Sequence, residues 1–221
     1  MREIKQTCYK GTRILLGNLK RDMTNVMISL AKQNGFQEIS IPIIQFQDIF
    51  ESKVGEHNLH LMFKFEDVKS RKLCLTPEVT AVISKLSKET FKYQKDVKVF
   101  YVQECFRREN PQAGRYRQFT QFGLEVLNPS VASMEYLKKI AMVMIHMTCD
   151  EHTTINDFEL HSSVKRGLDY YKNGEGFEIT CNKLGAQKQV CGGGEYEDGM
   201  GFAIGVDRLL LLRDEYEKKT D

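Results

Sequence analysis

The sequence predicts an α+β domain on a largely antiparallel sheet flanked by helices, and three observations carry that expectation. Paired strand-like runs joined by polar turns recur, at 61–75 and again at 97–127, and short connections of this kind produce antiparallel neighbours. Helical apolar spacing appears between those pairs rather than alternating with single strands. The 221 residues contain no repeat, linker or low-complexity tract, so a single domain over 1–221 is expected, long enough to bury a substantial core.

The elements follow in chain order. Met23, Val26, Met27, Leu30 and Ala31 keep helical spacing, and Asn34-Gly35 supplies a stop. Ile39, Ile41 and Ile43 alternate as a strand does, with Pro42 inside it; because proline donates no ladder hydrogen bond, this is an edge strand or a break. Met62 to Phe65 and Leu73 to Leu75 form the arms of the first hairpin around a polar turn, 67–71. Pro77 suits the first turn of a helix reaching about Phe91. Val97 to Leu127 reads as a longer hairpin with a polar loop, 109–116. Met134, Leu137, Ile140, Ala141, Met144 and Ile145 mark an amphipathic helix whose methionines are core packing. Strands return through Phe158, Leu160, Phe177 and Ile179; a strand from Gln187 to Cys191 ends in Gly192-Gly193-Gly194. Gly201 to Gly205 forms a last strand with a glycine break, and an amphipathic helix begins at Val206.

Composition narrows the function classes. A net charge of +2 excludes a uniformly basic surface, so phosphate contacts must come from a local cluster such as Arg107, Arg108, Arg115 and Arg117. Six cysteines lie scattered without a C-x-x-C pair, against a zinc ribbon or a disulfide framework. Cys149 and His152 have ligand-like spacing but stand alone, and no metal site is assigned. The start, MREIKQTCYKG, lacks the apolar core of a signal peptide, and no apolar run is long enough to span a membrane. A cytoplasmic protein without a membrane partner is expected. The five histidines are scattered and are read as structural or surface residues.

The segment FRRENPQAGRYRQFTQFGLE (106–125) concentrates the chemistry. Arginine meets phosphate bidentately and keeps its charge at any useful pH. Even spacing places Arg107 with Glu109 on one strand face, and Arg115 with Arg117 and Phe119 on another. Arginines, a carboxylate and an aromatic ring suit a nucleotide; the same residues also suit a solvated hairpin with ordinary surface ion pairs.

The order of residues resembles a known family. Phe106, Arg107, Glu109, a loop, then Arg115 and Phe119 resemble motif 2 of class II aminoacyl-tRNA synthetases. GFAIGVDRLLLL (201–212) resembles motif 3, with Arg208 at its helix start, and the stretch from Ile39 to Phe50 resembles motif 1. RGLDYY (166–171), LGAQKQVCGGGEY (184–196), LTPEVTA (75–81) and GTR (11–13) are similar to stretches of the histidyl branch. The resemblance implies the class II fold. It also implies ATP-dependent activation of an amino acid, histidine first, with Mg2+ accompanying ATP, and transfer to tRNA or another acceptor. Arg107 and Arg166 would then serve the α-phosphate, Glu109 the adenine edge and Phe119 its ring, while Arg115 and Arg208 would hold the triphosphate. Glu78 and Gln121 would take the α-ammonium, and Glu125, Tyr170 and Tyr171 the imidazole. Motif 1 implies a homodimer.

The pattern also departs from the family. Only 126–165 separates Glu125 from Arg166, so the usual insertion domain is expected to be missing, and no anticodon-binding domain is expected after motif 3. Recognition of tRNA through its acceptor end, or with a separate protein partner, is therefore expected. Glu195 stands where arginine is common, Thr120 where histidine is, and Asp207 where glutamate is. Two other readings resemble known precedents. One is a histidine-sensing regulator like the regulatory subunit of ATP phosphoribosyltransferase; the other is a non-catalytic interaction module. Retention of the arginine set speaks against both.

Overall fold

A computed structural model describes residues 18–51, 59–112, 114–131, 133–149, 153–165, 171–172 and 175–220. Helix α1 (Leu19–Gln33) opens the described chain and closes where the Asn34 side chain donates 2.8 Å to the Leu30 carbonyl. It is followed by β1 (Gln37–Glu38), β2 (Ile44–Phe46), α2 (Asp48–Glu51), β3 (Lys64–Glu66), β4 (Lys72–Leu75) and α3 (Thr80–Glu89). Then come β5 (Val97–Phe106), β6 (Gln118–Leu127), α4 (Met134–Thr148), β7 (Phe158–Lys165) and β8 (Glu175–Cys181). The chain ends with β9 (Gln189–Tyr196), β10 (Gly199–Gly205) and α5 (Val206–Thr220).

The described strands form two sheets. The larger runs β1-β5-β6-β10-β9-β8-β7, antiparallel except for the β1–β5 edge, and the smaller runs β2-β4-β3. Side chains alternate across the large sheet and so build two cores. Phe100, Phe122, Leu124, Phe202 and Ile204 face one side, where they pack with Met23 and Met27 of α1, Leu137, Ile140 and Met144 of α4, and Leu209 and Leu210 of α5. Each such large apolar side chain stabilises by roughly 1.5–3 kcal/mol when buried. On the other side Val99, Cys105 and Leu127 pack with Val82 and Ile83 of α3 and with Cys74 of the small sheet. The methionines of α4 that were expected in the core include Met144, which is fully buried.

Two sequence expectations are corrected and one is resolved. Of the two readings for Ile39 to Ile43, the structure has the break: Pro42 lies between β1, paired to β5, and β2, paired to β4 in a different sheet. The helix expected from Pro77 begins at Thr80, because the Glu78 carboxylate accepts the Ala81 N–H at 2.9 Å and closes the turn beforehand. Gly192-Gly193-Gly194 lies inside β9 rather than at its end, paired to β10 on one side and, through Gly192 and Gly193, to β8 on the other. Among the described residues no helix is long and apolar enough to cross a membrane.

Candidate active site

The face of the large sheet away from the α1–α4–α5 layer holds the candidate site. On β6 it carries Gln121, Gly123 and Glu125, the alternates to Phe122, Leu124 and Val126. Across the ladder these meet Gly205, Ala203 and Gly201 of β10, and beyond Ala203 and Gly201 lie Gly192 and Gly194 of β9. This floor of glycine and alanine lets side chains lie directly on the strands, the Tyr101 ring over Gly123, the Tyr171 ring over Gly194 and the Glu125 carboxyl against Gly201. Gly201 is required there, since a Cβ would lie 1.8 Å from Glu125 Oε2.

At one end of this floor a cleft of about 150 Å3 is lined by Arg107, Glu109, Arg115, Phe119, Gln121 and Arg208, among others. The Arg107 N–H still donates 2.8 Å to the Arg117 carbonyl, but the described residues between them lie outside β5 and β6, so even spacing does not carry shared faces from Arg107 to Glu109 or from Arg115 to Arg117. Side-chain contacts gather them instead. Arg115 Nη2 lies 2.6 Å from Glu109 Oε2, and Arg117 Nε donates 2.9 Å to the Glu109 carbonyl. The Arg107 guanidinium stands 5.1 Å from the centroid of the Phe119 ring, and its Nε donates 2.9 Å to the Pro77 carbonyl. Arg208, in the first turn of α5, donates from Nε to the Gly114 carbonyl (2.9 Å) and from Nη1 to the Gln189 carbonyl (2.5 Å). Burial, then Arg107 and Arg115, lowers the Arg208 pKa. Three arginines against two carboxylates, Glu109 and Asp207, leave the cleft lining net positive and anion-seeking.

Glu78, Glu125 and Tyr171 are not in the wall of that cleft; they lie in the buried interior beside it. Glu125 is 0% exposed, and its oxygens accept from the Thr80 hydroxyl (2.9 Å) and the Tyr196 hydroxyl (3.0 Å). Burial pushes its carboxyl up to about 8; the Thr80 and Tyr196 hydrogen bonds pull the other way, and Glu78 adds to the rise. Tyr171 packs its ring on Gly194. Arg166 and Tyr170 lie outside the described residues. Thr80 and Tyr196 were not expected as site residues, although both sit in family-like stretches, LTPEVTA and GGGEY.

The departures from the family pattern find partners. Glu195 makes an ion pair with Lys172, which neutralises the reversed charge. Asp207 accepts the Thr120 backbone N–H at 2.5 Å, and the Thr120 hydroxyl donates to Glu104. Lys20 lies 3.6 Å from both the Asp207 and the Glu104 carboxylates, so α1, β5, β6 and α5 meet at one polar node.

A family model described as histidyl-tRNA synthetase matches residues 18–154, more than half of the chain. The chain belongs to the histidyl-tRNA synthetase family. A histidine–tRNA ligase of Archaeoglobus fulgidus is 27% identical over 304 aligned positions, which cover 90% of this chain and 74% of the relative. That alignment is longer than the 221 residues here, so the relative carries stretches within the aligned region that have no counterpart in this chain. A solved structure from Bacillus halodurans, described as an ATP phosphoribosyltransferase regulatory subunit/histidyl-tRNA synthetase, superposes with a TM-score of 0.75 at 14% identity, covering 96% of this chain and 84% of that one. A histidine–tRNA ligase subunit from Alicyclobacillus acidocaldarius gives a TM-score of 0.75 at 11% identity, covering 97% and 99%. Both share the class II fold of the synthetase family, with its antiparallel sheet and flanking helices.

Proposed function

We propose that this member of the histidyl-tRNA synthetase family activates histidine with ATP to the aminoacyl-adenylate and passes it to tRNA or another acceptor. The observation that carries the reading is Glu125. A fully buried carboxyl group with no cation paired to it among the described residues, four residues along β6 from the arginine cleft, suits a side chain with an N–H to donate. An apolar isostere would leave that carboxylate without a substrate donor, which discriminates strongly.

The chemistry is positioning and charge stabilisation. The histidine carboxylate attacks the α-phosphate in line and pyrophosphate leaves, with no covalent enzyme intermediate. Arg107 and Arg166 meet the charge on the α-phosphate, while Arg115 and Arg208 hold the leaving pyrophosphate. Glu109 and Phe119 receive the adenine; Glu78 and Gln121 the α-ammonium; Glu125, Tyr170 and Tyr171 the imidazole. Magnesium, when bound, would be carried by the nucleotide's phosphates and would add positive charge beside the arginines. Among the described residues no cluster of three carboxylate, histidine or cysteine side chains would hold a bare ion.

A homodimer through the small sheet belongs to the same reading. Ile44 and Phe46 of β2, Leu73 and Leu75 of β4, and Phe65 of β3 are in register on one face. Ile44 is 53% and Phe46 47% exposed, an apolar patch that a second copy would cover.

Amino-acid-dependent exchange of pyrophosphate into ATP, run across all twenty amino acids, tests the proposal. Histidine is expected to support exchange, and Arg166→Ala to lower turnover on the order of a hundredfold while changing histidine binding far less. Histidine binding without exchange for any amino acid would favour the sensing-subunit reading instead.

A further inference from the structure

The ladder between β6 and β10 ends at the pair Gln121–Gly205, and the residue after Gly205 already belongs to α5. One position further along β6, a side chain takes the place of the departed strand. Asp207, in the first turn of α5, accepts the Thr120 backbone N–H on Oδ2 at 2.5 Å. This bond ties the start of the helix to β6. The residues beside it line the arginine cleft: Phe119 and Gln121 flank Thr120, and Arg208 follows Asp207.

Asp207 is 2% exposed, and a carboxylate so far from water stays charged only beside a cation or strong donors. Lys20 of α1 supplies the cation. Its Nζ stands 3.6 Å from Asp207 Oδ1 and 3.6 Å from Glu104 Oε1, and the Thr120 hydroxyl donates to that same Glu104 oxygen. Lys20 thus sits between two carboxylates, one on β5 and one on α5. Removing its charge would set Asp207 and Glu104 against each other around Thr120, and the direct relief is for Asp207 to turn away and release the Thr120 N–H. Neither α1 nor the general stability of the chain accounts for a lysine here. A cation in a helix's first turn opposes the helix dipole, and Lys20 and Glu104 are exposed enough for water to screen much of their attraction.

We infer that Lys20 is a positioning residue of amino-acid activation, acting through Asp207 on Arg208. The inference rests on the proposed reading in which Arg208 holds the leaving pyrophosphate. Arg208 reaches the Gly114 and Gln189 carbonyls from the turn that Asp207 anchors, so the place of its guanidinium depends on where that turn begins. A shift of about an ångström in such a group can cost on the order of a hundredfold in rate. Lys20 also offsets the Asp207 charge, which lines the cleft and would otherwise oppose a triphosphate. Glu78, Glu125 and Tyr171 lie in the interior beside the cleft, so the effect falls on the nucleotide more than on the amino acid.

The test is histidine-dependent pyrophosphate exchange by the wild-type chain, Lys20→Met and Lys20→Arg, with thermal melting of each and calorimetric binding of ATP alone. Lys20→Met is expected to lower kcat/KM for ATP on the order of tenfold and to weaken ATP binding, while the KM for histidine stays within about twofold. Its melting temperature should barely move, and Lys20→Arg should recover most of the loss, because the charge returns to the same two carboxylates. Wild-type kinetics in Lys20→Met would overturn the role of Lys20 and leave the proposed function standing. A Lys20→Met chain that fails to fold, or that melts earlier and loses ATP and histidine alike, would show a strut of the fold and would equally overturn it. So would a Lys20→Arg chain as impaired as Lys20→Met. A wild-type chain that supports exchange with no amino acid would remove the proposed function and this inference together.

Discussion

Glu125 couples the folded state to pH. Burial pushes its carboxyl up from an ordinary 4.5 to about 8 in the folded chain, so folding takes up a proton throughout that interval. A raised folded pKa means the contribution is complete below about pH 4.5 and is lost as pH climbs through 8. Urea denaturation from pH 5 to 8 is expected to show a falling midpoint, and Glu125→Gln should flatten that decline because the amide does not titrate. An unchanged slope in the variant would sink the assignment. The residue itself was legible through the family-like stretch around it, but its environment was not. Thr80 lies 45 residues before it and Tyr196 71 residues after it, and nothing local in either segment announces the contact. Glu195 shows the same limit: the reversed charge is visible in the sequence, whereas its neutraliser, Lys172, comes from a segment brought alongside only by folding.

Elements were legible where a pattern had a single geometric solution. The β5–β6 hairpin spans Val97 to Leu127 as expected, because apolar arms around a polar, arginine-rich loop can close in few other ways. The faces expected within 107–117 are not kept, since alternation holds only while the backbone is extended, and the ladder ends at the bond from Arg107 to the Arg117 carbonyl. Its arginines are placed by contacts with Glu109, Pro77 and Gly114 instead. Pro42 announced a break, but not that the halves would join different sheets. That split creates the apolar face of Ile44, Phe46, Phe65, Leu73 and Leu75. Replacing Phe46 and Ile44 together by lysine is expected to shift the chain from dimer to monomer in sedimentation at micromolar concentration, without loss of secondary structure, because both side chains are already largely exposed. A wild-type chain that sediments as a monomer while retaining activity would overturn the dimer.

At the scale of the whole molecule, charge and its placement govern what the chain can grip. Affinity for a long RNA comes mainly from phosphates neutralised along an extended surface, and each contact steepens the salt dependence. Here the net charge is +2, and the described arginines of the cleft are turned inward, onto Glu109, the Pro77 carbonyl and the Gly114 and Gln189 carbonyls. The Archaeoglobus fulgidus relative carries stretches within the aligned region that have no counterpart here. We expect an RNA acceptor to be recognised near the arginine cleft, where the proposed adenylate would be held, and hardly at all at a distance from it. Charging of intact tRNA, an anticodon mutant and an acceptor-stem minihelix should then give kcat/KM values within a few-fold of one another. The dependence of each on salt should be shallow, as a handful of phosphate contacts would produce. Efficient charging of intact tRNA that collapses on anticodon mutation would defeat the expectation. It would place a second recognition surface on this chain, at a site where neither the charge distribution nor the cleft geometry indicates one.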